Sequence, residues 1–229
     1  MASLPSAPSA TAANPWFSWH YLSHNQDTIL TYLREHVTLT VEAVLVGLII
    51  AFPLALVARR WRWLAGPILG VSGALYTIPS LALFAFLQPI TGRTRRTVLI
   101  GLVMYALLIL VRNILAGLDG VPADVREAAR GMGYNSVQML WRVELPVALP
   151  TIMAGIRVAT VSTVALTTVG VILGFGGLGQ LIYEGFNNNF YRAEIATGSA
   201  LCVLLALVAD LLLLGLTRIL SPWAKGRTR

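Results

Sequence analysis

Charge is scarce in this chain and cysteine is nearly absent, and each scarcity removes a class of function. Of the 229 residues only 12% are charged while 56% are hydrophobic, and the mean hydropathy is +0.73. Such a composition belongs in a lipid bilayer rather than in a water-soluble domain of the same length. The single cysteine, Cys202, lies within an apolar run, which excludes a disulfide framework and a thiolate metal site and leaves a small apolar filler. The three histidines, His20, His24 and His36, are confined to the N-terminal end, and neither HExxH nor a paired-carboxylate spacing occurs. No metal set, no catalytic residues and no enzymatic activity are therefore expected. Lysine occurs once, at Lys225, so the phosphate-cradling pattern GxxxxGK followed by Ser or Thr is missing and the chain is expected to hydrolyse no nucleotide by itself. The net charge of +7 comes from short basic clusters between apolar runs rather than from one stripe, so no nucleic-acid partner is expected.

What is present is a series of long apolar runs. A hydrocarbon core about 30 Å thick needs about 20 helical residues, and the stretches 36–58, 64–90, 97–118, 147–173 and 195–217 are all long enough. The expected fold is all-α, a polytopic membrane protein of about five transmembrane helices. Residues 1–35 are expected to be an external tail, without a signal peptide's basic and apolar regions, followed by an interfacial segment carrying Trp16, Trp19, Tyr21 and Tyr32. Residues 36–217 form the transmembrane domain, with a cytoplasmic loop at 119–146, and residues 218–229 a cytoplasmic basic tail. Pro79, Arg112 and Asn113 interrupt the apolar runs and mark places where a helix bends or meets water and partners.

Basic charge orients the spans. Placing Arg59, Arg60, Arg62, Arg126, Arg130, Arg142, Lys225, Arg227 and Arg229 inside leaves Arg34, Arg93, Arg95, Arg96 and Arg192 outside. This predicts an external N-terminus and a cytoplasmic C-terminus in the cell membrane, with the Arg93, Arg95, Arg96 cluster against the trend.

The loop from Asp119 to Pro150 is the most informative segment. Asp124 and Glu127 have the spacing of a capping box, predicting a helix from about Val125. Ala128 and Ala129 give that helix a nearly bare face, Gly131 and Gly133 permit a sharp turn, and Tyr134 to Val143 predicts a second short helix ending before Pro146. The pattern Glu127-Ala128-Ala129, three residues, Gly133, nine residues, Val143, one residue, Leu145-Pro146 resembles the EAA loop of ABC importer permeases, with Val143 where the family prefers Ile. The resemblance implies that Glu127, Ala128, Ala129, Gly131, Gly133, Tyr134, Leu145 and Pro146 couple the chain to an ATPase. Further segments, Tyr76 to Leu83 (YTIPSLAL), Arg142 to Arg157 and Gly174 to Ile182 (GFGGLGQLI), are similar to the osmoprotectant branch, which carries glycine betaine, carnitine and choline.

The same resemblance implies partners: ABC ATPase subunits that bind ATP and Mg, an external solute-binding protein, and a second permease, a related chain rather than an identical copy. It implies alternating access, with no cofactor bound by this chain. A permease for another small solute such as an amino acid is the alternative. An ion-coupled secondary transporter using Glu42 and Asp210 is the rival class, but it predicts an internal repeat that the sequence lacks.

Candidate path residues are Tyr76, Thr77, Ser80, Thr163 and Thr167. Thr160, Thr163, Thr167, Gly170 and Gly174 share one helical face, which serves either close helix packing or a solute path. Gly174 to Gly179 matches GxGxxG, but it closes an apolar run instead of following a strand, so it reads as a glycine turn near the outer surface. Asp210 is expected to pair with Arg112, Arg157 or Arg218, and Glu42 to reach headgroup water; Arg112 and Arg157 are also able to snorkel to the inner interface.

Cysteine introduced at Asn14 and at Thr228, in a chain whose Cys202 has been replaced, tests the topology. In intact cells only the Asn14 site is expected to react with an impermeant thiol reagent; equal labelling of both would rule out an odd number of spans.

Overall fold

The computed structural model describes residues 14–223; residues 1–13 of the expected external tail and 224–229 of the basic tail lie outside the described residues. A short helix, α1 (Trp19–His24), begins where the Ser18 hydroxyl accepts from the Tyr21 N–H. The next, α2 (Gln26–Arg60), runs without a break through Glu35 into the first span. The expected interfacial segment is therefore not one element: only its first part, with Trp16, Phe17 and Trp19 exposed, stands apart from the span. At 1.5 Å per residue α2 reaches about 52 Å, well beyond the bilayer's hydrocarbon core, so its outer turns project into headgroup water.

The expected second span is two helices, α3 (Arg62–Thr77) and α4 (Ser80–Thr91), which meet at 99°. Pro79 lacks an N–H and its ring drives Ile78 out of the helical region, to φ −64° and ψ 128°. Tyr105 of α5 (Arg95–Asp119) donates its hydroxyl to the Ile78 carbonyl at the break, giving that acceptor a partner. Four helices are long and apolar enough to cross a bilayer, and five spans result when the bent pair counts as one.

Two short elements follow, α6 (Ala123–Gly131) and α7 (Ser136–Met139). From α7 the chain continues through a π-helical turn, Leu140–Glu144, directly into α8 (Leu145–Thr167). The predicted stop before Pro146 does not occur. Proline clashes with the carbonyl four residues back, and the wider π turn, closed by the Leu145 N–H on the Leu140 carbonyl, admits it. A 3-10 stretch, Thr168–Leu173, ends α8; α9 (Gly179–Asn187) and α10 (Arg192–Leu220) complete the fold.

The centre of the bundle is α5, packed between α2 and α8, with Leu102, Leu110, Val111, Ile114 and Leu118 sealed from solvent. Lipid tails are as apolar as leucine, so backbone approach and van der Waals fit decide helix association. Gly155 of α8 lies so close to Asn113 of α5 that a Cβ would come within 2.3 Å of the Asn113 Cβ. In contrast, α10 turns Leu204, Leu207, Leu211 and Leu212 outward.

The charged groups separate to the two ends. Arg59, Arg62, Asp119 and Glu144 join at one. At the other, Arg95 pairs with Glu42 at 2.7 Å, and Arg93 donates to the Ile172 carbonyl at 3.2 Å. Glu42 is thus held by an arginine, and two members of the basic cluster that ran against the orientation trend have local partners.

The packing at Gly155 yields a stability test. Gly155→Ala is expected to cost about 1–3 kcal/mol by overpacking, seen as earlier thermal unfolding of the detergent-purified chain. Gly215→Ala, where no neighbouring atom lies within 4 Å of the added Cβ, is expected to unfold like wild type.

Candidate functional site

The EAA segment is a helix–turn–helix at the end of the molecule that carries Arg59. Its first helix begins two residues earlier than the Asp124–Glu127 spacing predicts, with Pro122 at the N-cap and no side-chain capping bond. Asp124 sits in the first turn, where its charge favours the helix dipole. The capping box occurs instead on the second helix: the Asn135 Oδ1 accepts from the Gln138 N–H at 2.9 Å, and the Gln138 Oε1 accepts from the Asn135 N–H at 3.0 Å. That Asn-x-x-Gln spacing was present in the sequence and was the signal to read.

The turn between the helices is a Schellman cap. The Tyr134 N–H bonds the Ala129 carbonyl at 3.2 Å and the Gly133 N–H bonds the Arg130 carbonyl at 2.9 Å. Gly133 takes φ +83°, the left-handed conformation this cap requires, while Gly131 remains helical, so the turn belongs to Gly133 alone. Ala129 is buried in the angle between the helices; Glu127, Ala128 and Gly133 are exposed. Tyr134, Leu145 and Pro146 are half-buried, the last two in the first turn of α8.

One side chain ties this segment to the first span. Arg59 donates from Nη1 and Nη2 to both carboxylate oxygens of Glu144, at 2.7 and 2.6 Å, and its Nε lies 3.5 Å from Asp119. Arg62 donates to the other Asp119 oxygen at 2.8 Å. The pairing of Arg59 with Glu144 was not readable from sequence, because 84 intervening positions separate two residues that neither periodicity nor motif connects.

At the opposite end, His36 is fully buried and joins three segments. Its Nε2 bonds the Val164 carbonyl at 3.0 Å, and its Nδ1 accepts from the Leu178 N–H at 3.2 Å. The glycine run turns around it: Gly174 caps the 3-10 stretch at φ +86°, and a Cβ on Gly177 would lie 2.6 Å from the His36 Cβ. Nearby, Tyr21 donates to Glu194 at 3.1 Å; burial and the adjacent carboxylate push the Tyr21 hydroxyl above its usual range, which keeps it protonated and a donor.

The candidate path residues divide into two groups. Tyr76, Thr77 and Ser80 line an open hollow of about 420 Å³ at the α3–α4 break, together with Tyr105 and Ser162. The Tyr76 and Tyr105 rings meet edge to face at 5.8 Å. Thr163 and Thr167 do not reach the hollow: both are buried, and their hydroxyls donate to the Ala159 and Thr163 carbonyls at 2.7 and 2.8 Å. That face of α8 is used for packing, because it points at the bundle centre, and Ser162 on the adjacent face is the hydroxyl beside the hollow. Gly170 also packs, against the Phe175 carbonyl, whereas Gly174 serves the turn.

Asp210 pairs with Arg157, accepting from Nε and Nη2 at 2.8 Å each, and the pair lines a neighbouring hollow with Ala154 and Val161. Both carboxylates invoked for an ion-coupled mechanism, Glu42 and Asp210, are thus held by arginines.

Residues 43–226 match the family described as binding-protein-dependent transport system inner membrane component. The chain is 37% identical over 205 residues to a glycine betaine/carnitine/choline transport system permease protein of Bacillus subtilis, covering 90% of each. It is 37% identical to an osmoprotectant import permease protein of Salmonella typhimurium, covering 89% of this chain and 96% of that one. To a carnitine transport permease protein of Listeria monocytogenes it is 36% identical, over 89% and 93%. Among solved structures, an inward-facing MetNI methionine ABC transporter superposes with a TM-score of 0.75 at 20% identity, over 89% of this chain and 99% of that one.

The Arg59 clamp generates a stability prediction. Glu144→Ala leaves a largely buried guanidinium without its bidentate partner and is expected to cost on the order of 3 kcal/mol. Glu144→Gln, which keeps one acceptor, is expected to cost less. Thermal unfolding in detergent measures both, and an unchanged transition for Glu144→Ala would remove the clamp from the description of this end.

Proposed function

The chain belongs to the family of binding-protein-dependent transport system inner membrane components, and we propose that within it the chain is the permease subunit of an ATP-driven importer of quaternary ammonium osmoprotectants such as glycine betaine, carnitine or choline. The observation that carries the solute class is similarity along nearly the whole chain to permeases named for those solutes. The Arg59 end faces the cytoplasm, with the N-terminus outside and the C-terminus inside. Two ATPase subunits bind ATP and Mg and hold the EAA segments in their clefts. A solute-binding protein delivers cargo from outside, and a second, related permease completes the path.

The mechanism is alternating access. ATP-driven closure of the ATPase pair moves the EAA helices, and two features of this chain carry the movement upward. The continuous run from α7 through the π turn into α8 has no flexible joint to absorb displacement, and the Arg59–Glu144 clamp couples it to α2. The α3–α4 break, with Tyr76, Thr77 and Ser80, borders the solute path. No bond in the solute is made or broken; the chain contributes binding differences between two states.

Uptake by vesicles containing the purified permeases, ATPase and binding protein tests this reading. Glycine betaine accumulation is expected to need ATP and the ATPase. Ala129→Asp, which forces a carboxylate into the angle between the two helices, and Gly133→Asp, which adds a charge and a Cβ at the left-handed turn, are expected to abolish uptake or to uncouple ATP hydrolysis from it. Gln138→Ala removes half of a capping box, about 1 kcal/mol of local stability, and is expected to be milder. Accumulation driven by an ion gradient without ATP, or normal uptake by both acidic variants, overturns the assignment.

A further inference from the structure

Arg112 stands out among the charges of the spans. It lies about two turns before the end of α5 at Asp119, is exposed to a hollow of about 440 Å³, and has neither an ion pair nor a hydrogen bond among the described residues. The other arginine near these hollows, Arg157, is neutralised by both oxygens of Asp210. No carboxylate lines the Arg112 hollow; its walls are Tyr76, Leu108, Ile109, Asn113, Ala116 and Val158. Asn113 does not compensate the charge, since its amide donates to the Ile109 carbonyl at 2.8 Å. An ionic group at such a depth is costly unless it faces water or an opposite charge, and Arg112 faces an open hollow in which an anionic group would find it. Tyr76 lines the same hollow. The residue is 40% exposed and its ring is braced by the edge contact with Tyr105.

We propose that Arg112 and Tyr76 form a two-pole station for zwitterionic quaternary ammonium solutes, the guanidinium taking the carboxylate and the aromatic ring taking the cationic head. The proposal rests on the transport reading above and adds a selector to it. Guanidinium and carboxylate match as two parallel charge-assisted hydrogen bonds, and an aromatic ring attracts a quaternary ammonium through its quadrupole. A solute with both groups satisfies both residues of one hollow. Choline, which has the ammonium but no carboxylate, meets an uncompensated positive charge there. The station therefore favours glycine betaine and carnitine over choline at the permease, independently of selection by the binding protein.

The test uses the complete importer in vesicles, with maximal uptake rates of glycine betaine and choline measured at saturating solute, where the binding protein's affinity no longer limits. Arg112→Gln is expected to lower the ratio of glycine betaine to choline uptake about tenfold, the equivalent of one charge-assisted hydrogen bond, and Arg112→Lys to restore part of it. Tyr76→Leu is expected to slow both solutes, and Tyr76→Phe, which keeps the ring, to lose less. An unchanged ratio in Arg112→Gln overturns the station, whether both rates fall together, as for an arginine that only anchors to headgroup phosphates, or neither falls. Wild-type uptake confined to choline overturns it as well. Wild-type importer that carries neither solute refutes the solute class itself, a result distinguishable from failure of the station alone.

Discussion

The bidentate bond between Arg59 and Glu144 fixes one end of the molecule, and the geometry beyond it depends on that tie. Glu144 is the last residue of the π turn, one position before the transmembrane part of α8, and Arg59 is next to the last residue of α2. A single guanidinium thus locks the first span to the segment that leaves the α6–α7 turn. Buried ion pairs add little net stability when compared with well-packed apolar residues, but losing one partner is severe. Such a bond serves best as a register device. It sets which turn of α2 faces which turn of α8, and Asp119 at the end of α5 adds the third helix to the same point.

The opposite end uses a neutral counterpart. His36 on α2 reaches the Val164 carbonyl on α8 and the Leu178 N–H in the glycine turn, satisfying groups that a bilayer would otherwise leave without partners. Gly177 permits the approach, because any side chain there would occupy the histidine's place. Between the two ties, α2, α5 and α8 form a tightly packed unit, and the bent α3–α4 pair and α10 lie around it. This division suits a transporter. The hollows beside Tyr76 and Arg112 lie alongside the packed unit.

Much of this was legible from local pattern. Apolar length located four spans as single helices, because the bilayer imposes one thickness on each, while the stretch 64–90 became the bent α3–α4 pair. Gly133 announced the turn after α6, because a Schellman cap favours a residue tolerant of positive φ just past the helix end. Pro79 announced a break, though not its 99° angle or the Tyr105 hydroxyl that donates to the Ile78 carbonyl there. Two readings of local signals went astray for identifiable reasons. Asp124 lost the capping role because Pro122, with its preset φ, started the helix earlier. Pro146 failed to stop a helix because a π turn made room for its ring.

The chain's own sequence determined its medium, its apolar runs, its lack of catalytic and nucleotide-binding patterns, and the glycine turn after α6, since each of these is a property of neighbouring residues along one helix or loop. Only the tertiary structure decided the partners. Asp210 had three arginines within plausible reach and took Arg157; Glu42 took Arg95; Thr163 and Thr167 turned to the bundle centre while Ser162 met the hollow. Those outcomes depend on how far each helix is rotated and shifted against the next. That choice is set by close contacts such as Gly155 on Asn113 and by the ties at the two ends, and such contacts join residues too distant in the chain for any periodicity to relate.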